Sequence, residues 1–161
     1  MLKKLLIVTV LLLSVYGIAF AQKDIYKTYT NERYGYKIDV PSSFIEGEAP
    51  SNDDGRKFTS PDGRGLLLVY AGANIKNQTP DSIYQEIKRD RKGAMRSRLI
   101  TKTSVDAIWD SGNSTVYRKT LITNENLYTF ILSYPKNEKI RYESITRNLR
   151  QSFTPPSDKS E

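Results

Sequence analysis

The chain contains no cysteine and no histidine. Without thiols there is no disulfide, thiolate nucleophile or iron–sulfur cluster. Without imidazoles there is no Ser-His-Asp or Cys-His catalysis, and no zinc held by His or Cys. Long apolar runs are equally scarce. The one present, Leu5 to Phe20, is interrupted by Thr9, Ser14, Tyr16 and Gly17, and is shorter than the ~20 residues a spanning helix needs. It follows Lys3 and Lys4 and closes on Ala19-Phe20-Ala21, which reads as a secretory signal peptide over residues 1–21. Ala19 and Ala21 supply the small side chains signal peptidase requires, so Gln22 is the expected first residue of the mature product. A lipoprotein would need a cysteine where Gln22 stands. The expected location is therefore periplasmic or extracellular, with no membrane span in the mature chain.

Removing the leader leaves 140 residues with 23 basic and 18 acidic side chains. A chain of this size buries roughly two thirds of its unfolded surface, enough for one core, and lacking disulfides it must be held by packing. One domain over residues 22–153 is expected, with a disordered tail over 154–161.

Tyr34, Tyr36, Ile38 and Val40 alternate with polar residues and Gly35 until Pro41, the period of a strand with one wet face. Arg56–Ser60 and Leu66–Tyr70 flank Pro61-Asp62-Gly63-Arg64-Gly65, and so predict a hairpin. The unbroken apolar run Leu66–Tyr70 predicts a central strand covered on both faces. Thr79-Pro80-Asp81 is a helix start with an N-cap, an early proline and an acid at the positive end of the dipole. Ile83, Tyr84, Ile87, Ala94 and Met95 then extend a helix to about Arg96. Gly93 sits inside that helix as a weak point of about 1 kcal/mol relative to Ala. Strands follow near Ile100–Val105, Thr115–Ile122 and Leu127–Tyr134, and Tyr142, Ile145, Leu149 and Phe153 mark a closing helix over about Asn137–Ser152. The fold class is α+β, a mostly antiparallel sheet with helices on both faces. A ferredoxin-like split βαβ is the competing topology, and the surplus of strands counts against it.

The segment Asn31-Glu32-Arg33-Tyr34-Gly35-Tyr36-Lys37-Ile38-Asp39-Val40-Pro41, together with Tyr134-Pro135, Tyr142, Ile145 and Ser152-Phe153, resembles the PsbP-like α/β/α sandwich domains. That group includes an extrinsic photosystem II subunit and many small exported bacterial proteins. The resemblance spans about Tyr26 to Phe153. It implies an antiparallel sheet sandwiched between helices and a non-catalytic binding or assembly role, and it carries over no functional residue.

Chemistry-bearing candidates are few. The stretch Pro41–Gly55 holds Glu46, Glu48, Asp53 and Asp54 without a lysine or arginine. It fails the EF-hand template, because with Gly55 as the turn glycine Pro50 and Pro61 fall on ligand positions. A solvated crossover pinned by Phe44 and Ile45 is the simpler account. The same carboxylates are the only basis for an alternative reading, a hydrolase of a carbohydrate or other polymer. Ser133-Tyr134-Pro135-Lys136 matches S-x-x-K by spacing alone, since Ser133 ends a strand. Trp109 is either core or an exposed anchor. Between Pro80 and Arg98 six bases face three acids, and Lys88, Arg89, Lys92 and Arg96 form the candidate partner-binding face. Such a surface suits an acidic protein or an anionic envelope component. Nucleic acid is not expected for an exported chain without an aromatic–basic recognition motif, and no cofactor or metal is expected. The expected function is a non-catalytic binding or accessory module. A passive accessory protein that docks by its helix charge is a third reading.

Overall fold

The structure, a computed structural model, describes residues 25–156. The expected signal segment, its cleavage residues Ala19, Ala21 and Gln22, and residues 157–161 lie outside the described part. Strands β1 (Tyr26–Thr30) and β2 (Lys37–Pro41) pair antiparallel as a separate hairpin. Its turn explains the opening sequence motif. The buried Asn31 accepts the Tyr34 N–H at 2.7 Å, and its amide donates to the Asp53 carbonyl at 2.9 Å. Gly35 takes φ +69°, a conformation glycine adopts without strain. The strand expected from Tyr34 therefore begins at Lys37. Its partner β1 was not expected, because only Tyr26 and Tyr29 in it are even half-buried.

The remaining strands are β3 (Ile45–Glu46), β4 (Gly55–Thr59), β5 (Leu66–Ala73), β6 (Met95–Ile100), β7 (Ser104–Ser111), β8 (Ser114–Ile122) and β9 (Asn126–Pro135). They form one sheet in the order β3-β4-β5-β9-β8-β7-β6, antiparallel at every pair. Helices α1 (Pro80–Asp90) and α2 (Lys139–Ser152) take opposite faces, α2 preceded by a 3₁₀ turn over Lys136–Glu138. Among the described residues no helix is long and apolar enough to cross a membrane.

The larger core lies on the α2 face. Tyr142, Ile145, Leu149 and Phe153 pack with Tyr36, Ile38 and Val40 of the hairpin segment onto Phe58, Leu67, Val69, Phe130 and Leu132. Tyr134 and Tyr142 stack 4.6 Å apart, and Phe130 meets Phe153 edge-on at 5.2 Å. On the other face Ile83, Tyr84 and Ile87 of α1 cover Val105, Ala107 and Ile122. Thr79 caps α1 by accepting the Ser82 N–H, and Ser82 answers the Thr79 N–H.

Four expectations are corrected here. Helix α1 stops at Asp90, not Arg96: Gly93 turns the chain at φ +105°, hard against the Asp110 carbonyl, and Met95 already belongs to β6. The strand expected over Ile100–Val105 is the reversal between β6 and β7, closed by the Thr101 N–H on the Ser104 carbonyl at 2.9 Å. Strand β5 is covered on one face only, since α1 sits over the far end of the sheet and Tyr70 stays 37% exposed. Finally, Thr154, expected in the tail, exchanges two 3.0 Å backbone bonds with Lys37.

The β4–β5 turn is tied to the start of α2 by charge. The Ser60 hydroxyl and the Arg64 N–H both donate to Asp62, which also pairs with Arg64 and Arg141; these two arginines pair in turn with Glu138. Ser60 first, then the Arg64 backbone, hold the Asp62 carboxyl far below the usual carboxylate range. A depressed folded-state pKa adds stability above the unfolded value of about 3.9 and loses it as pH falls through the folded one. Asp62→Asn is therefore expected to be less stable than the natural chain at pH 7, with the gap closing below about pH 4. Urea melts across that pH range measure it; a pH-independent gap would mean that the carboxylate charge is not what matters.

Candidate functional site

The sheet is wider than the layer that covers it. Helix α2 and the β1–β2 hairpin cover the α2 face over β4, β5 and β9, and β6 and β7 project beyond them. A groove opens between α2 and β6–β8. Its wall is Lys139, Glu143, Thr146, Arg147 and Arg150, which share one side of the helix at steps of four, three, one and three residues. Its floor comes from the period-two alternation of the strands: Ser97 on β6, Ile108 on β7, Thr115 on β8 and Tyr134 on β9. This cavity is about 410 Å³, and Arg147 and Arg150 are shared with an adjoining one of about 260 Å³ lined by Lys119 and Gln151. From Lys139 to Arg150 the wall runs roughly 16 Å.

Two aspartates on β7 face this side of the sheet. Asp106, 5% exposed, accepts the Tyr117 hydroxyl, Arg150 Nε at 3.1 Å and Lys119 Nζ at 3.4 Å. Asp110 takes the Thr115 hydroxyl at 3.1 Å, Arg96 at 3.4 Å and Lys136 at 3.5 Å. Desolvation pulls Asp110 upward, but the Thr115 hydroxyl and the Lys136 and Arg96 charges outweigh it and hold the carboxyl below its ordinary range. Burial pushes the Tyr134 phenol the other way, above its ordinary value. Glu143 is taken by Lys139 at 3.6 Å. Six cations thus surround three carboxylates, each already engaged, and Arg147 has no acidic partner among the described residues. The surplus is positive and open to solvent, an arrangement for receiving anions.

The four residues expected to form one basic face do not. Lys88 and Arg89 end α1 on the opposite side of the sheet, with Arg89 bound through two bonds to Asp90 at 2.7 and 3.2 Å. Lys92 lies in the turn beyond the helix, and only Arg96 reaches the groove. The helix reading fails because the chain changes from helix to strand in the middle of the basic run. The closing helix carries a milder basic excess in the sequence, but its Lys139, Arg147 and Arg150, and Lys119 on β8, are not among the four residues expected to bind a partner. The signal for those on α2 was a basic stripe flanking the buried Tyr142, Ile145 and Leu149.

Three of the four acids in the Pro41–Gly55 stretch are held by neighbours, and Glu48 is exposed. Glu46 pairs with Lys27 and Arg56, each at 3.4 Å, Asp53 pairs with Arg56, and Asp54 accepts the Asn52 amide. Phe44 is buried there as expected, but Ile45 is 62% exposed and pins nothing. Among the described residues no group of three or more metal-ligating side chains converges. Ser133 lies on the α1 face while Lys136 reaches Asp110 on the other, so the S-x-x-K pair is not assembled. Trp109 packs against the core beneath α1.

No protein-family model matches the sequence, and no curated protein matches it. Solved structures do. The solution structure of cyanobacterial PsbP (CyanoP) from Synechocystis sp. PCC 6803 superposes with a TM-score of 0.62 at 14% identity, over 88% of this chain and 99% of that one. The fold is PsbP-like. LpqN of Mycobacterium tuberculosis, described as involved in cell envelope biogenesis, superposes with a TM-score of 0.51 at 11% identity, over 84% of this chain and 92% of that one. A Bacteroides thetaiotaomicron protein matches with a TM-score of 0.51 at 16% identity over 76% of this chain, which spans 46% of that one. The common element is the PsbP-like backbone, and the groove is built from this chain's own side chains.

Proposed function

We propose that this chain is an exported, non-catalytic accessory module that holds an anionic partner in the groove between α2 and β6–β8. Arg147 carries the proposal: among the described residues it stands without an acidic partner, where the two cavities meet, with Lys139, Arg150 and Lys119 around it. The leader-like N-terminus supports export. The description of LpqN, of the same fold, as involved in cell envelope biogenesis supports a role at the envelope. The partner is an acidic protein or an anionic envelope component. Catalysis has no part in this reading: the groove carboxylates answer cations, and Glu46 is engaged by Lys27 and Arg56.

The test is affinity capture from envelope extract at low and high salt, read by mass spectrometry. A partner is expected at low salt and lost at high salt, because exposed charges are screened beyond about 10 Å at 0.1 M. Lys139→Glu with Arg147→Glu is expected to lower retention at least about tenfold, the effect of ~1.4 kcal/mol. Arg89→Glu with Lys92→Glu is expected to leave retention unchanged. The reverse pattern would move the site to the α1 side of the sheet.

A further inference from the structure

Strand β6 ends the sheet, paired to β7 on one side and open on the other. Its hairpin with β7 closes on the Thr101–Ser104 bond, and bonded and non-bonded pairs alternate from there. Leu99↔Asp106 and Ser97↔Ile108 are then bonded pairs, so the N–H and C=O of Arg98 and Ile100 point to the open edge. Such an edge is a template for another strand.

The charges on β6 select which strand. Arg96 sits at a bulge, where the register shifts between Met95 and Ser97, and it is turned toward Asp110 at the lip of the groove. Arg98 lies on the other face, its guanidinium 4.8 Å from the Tyr84 ring and bonded to the Tyr84 hydroxyl at 2.8 Å, with no acidic partner among the described residues. A second copy adding its own β6 would bring two more arginines and no acid to the same seam, which is unfavourable. An acidic strand meets a cation on each face instead, because successive side chains of an added strand alternate between the faces. One set falls toward Arg96 with Lys139 and Arg147 across the groove, and the other falls beside Arg98.

We propose that the partner is an acidic protein that adds an extended acidic segment as a further strand along β6. This rests on the groove as the binding site and names its occupant. A polysaccharide or polyphosphate can answer the cations, but it has no row of peptide groups to complete the bonds offered by Arg98 and Ile100.

The experiment titrates the purified protein with an oligoglutamate peptide and, separately, with inorganic polyphosphate of matched charge, following amide hydrogen exchange and affinity. The peptide is expected to slow exchange at Arg98 and Ile100. Arg98→Pro, which deletes an outward donor on an edge strand that tolerates proline, is expected to weaken the peptide about tenfold more than Arg98→Ala does. The same two substitutions should affect polyphosphate equally. Peptide binding with unchanged exchange at both amides and equal Ala and Pro effects would overturn strand addition and leave the groove standing. Polyphosphate binding without peptide binding would do the same. Failure of both probes would overturn the groove as well.

Discussion

Replacing Gly93 by alanine is expected to destabilise the domain by about 3 kcal/mol or more, read as a lower urea midpoint at unchanged slope. Helical periodicity alone predicts the opposite sign, since alanine exceeds glycine by about 1 kcal/mol inside a helix. The structure reverses that expectation for two independent reasons. The residue sits at φ +105°, where any Cβ is strained. An added Cβ would also fall onto the carbonyl oxygen and carbon of Asp110, and backbone atoms cannot swing aside as a side chain can. Asp110 cannot retreat easily either, because its N–H donates to the Ala94 carbonyl at 3.0 Å and its side chain is held by Thr115, Arg96 and Lys136. A stabilised Gly93→Ala protein would mean that α1 continues through residue 93 and that β6 does not start at Met95. It would then place Arg96 on the helix and remove it from the groove.

Asp106→Ala is expected to cost about 3 kcal/mol, the lower end for breaking a buried ion pair, because Arg150 keeps part of its hydration. Asp106 is buried on β7, and its loss leaves Lys119, whose side chain is only 14% exposed, without its counter-charge and Tyr117 without its acceptor. Arg150 would lose its partner too, although its guanidinium also lies over the Tyr117 ring at 5.8 Å. Asp106→Asn keeps the shape and one acceptor, so roughly half that cost is expected. The two variants should nevertheless bind anions more tightly than the natural chain, by about fivefold at low salt, because the charge that neutralises Lys119 and Arg150 is removed. Stability and anion affinity moving in opposite directions is the outcome to look for, with urea melts and a titration with inorganic polyphosphate as the two measurements. Affinity falling together with stability would show that Asp106 organises the cations rather than neutralising them.

The elements that sequence pattern placed well are those whose burial is one-sided and uninterrupted. The strand expected near Leu127–Tyr134 does form, with Tyr128, Phe130, Leu132 and Tyr134 pointing together into the α2 core and Leu127 facing α1. Tyr142, Ile145 and Leu149 do form the buried stripe of the closing helix. Thr79-Pro80 does open α1, since capping is chemistry between near neighbours. The failures share a cause. Met95–Ile100 carries Arg96, Ser97, Arg98 and Leu99 on an edge strand, and Leu99 is 51% exposed. An edge strand outside the core has no reason to display a clean period. Strand β1 was overlooked for the same reason, its pairing with β2 rather than its burial being what defines it.

The sequence by itself determined the α+β class, the exclusion of every thiol- and imidazole-based chemistry, the hydrophobic faces and the helix start at Thr79. These follow from composition and from contacts between residues a few positions apart. Only the tertiary structure decided where the charges of the groove meet. Arg96, Lys119, Lys136, Lys139, Arg147 and Arg150 come from three separate stretches of chain, and nothing local joins them. They share a groove because seven antiparallel strands make a sheet wider than one helix and one hairpin can cover.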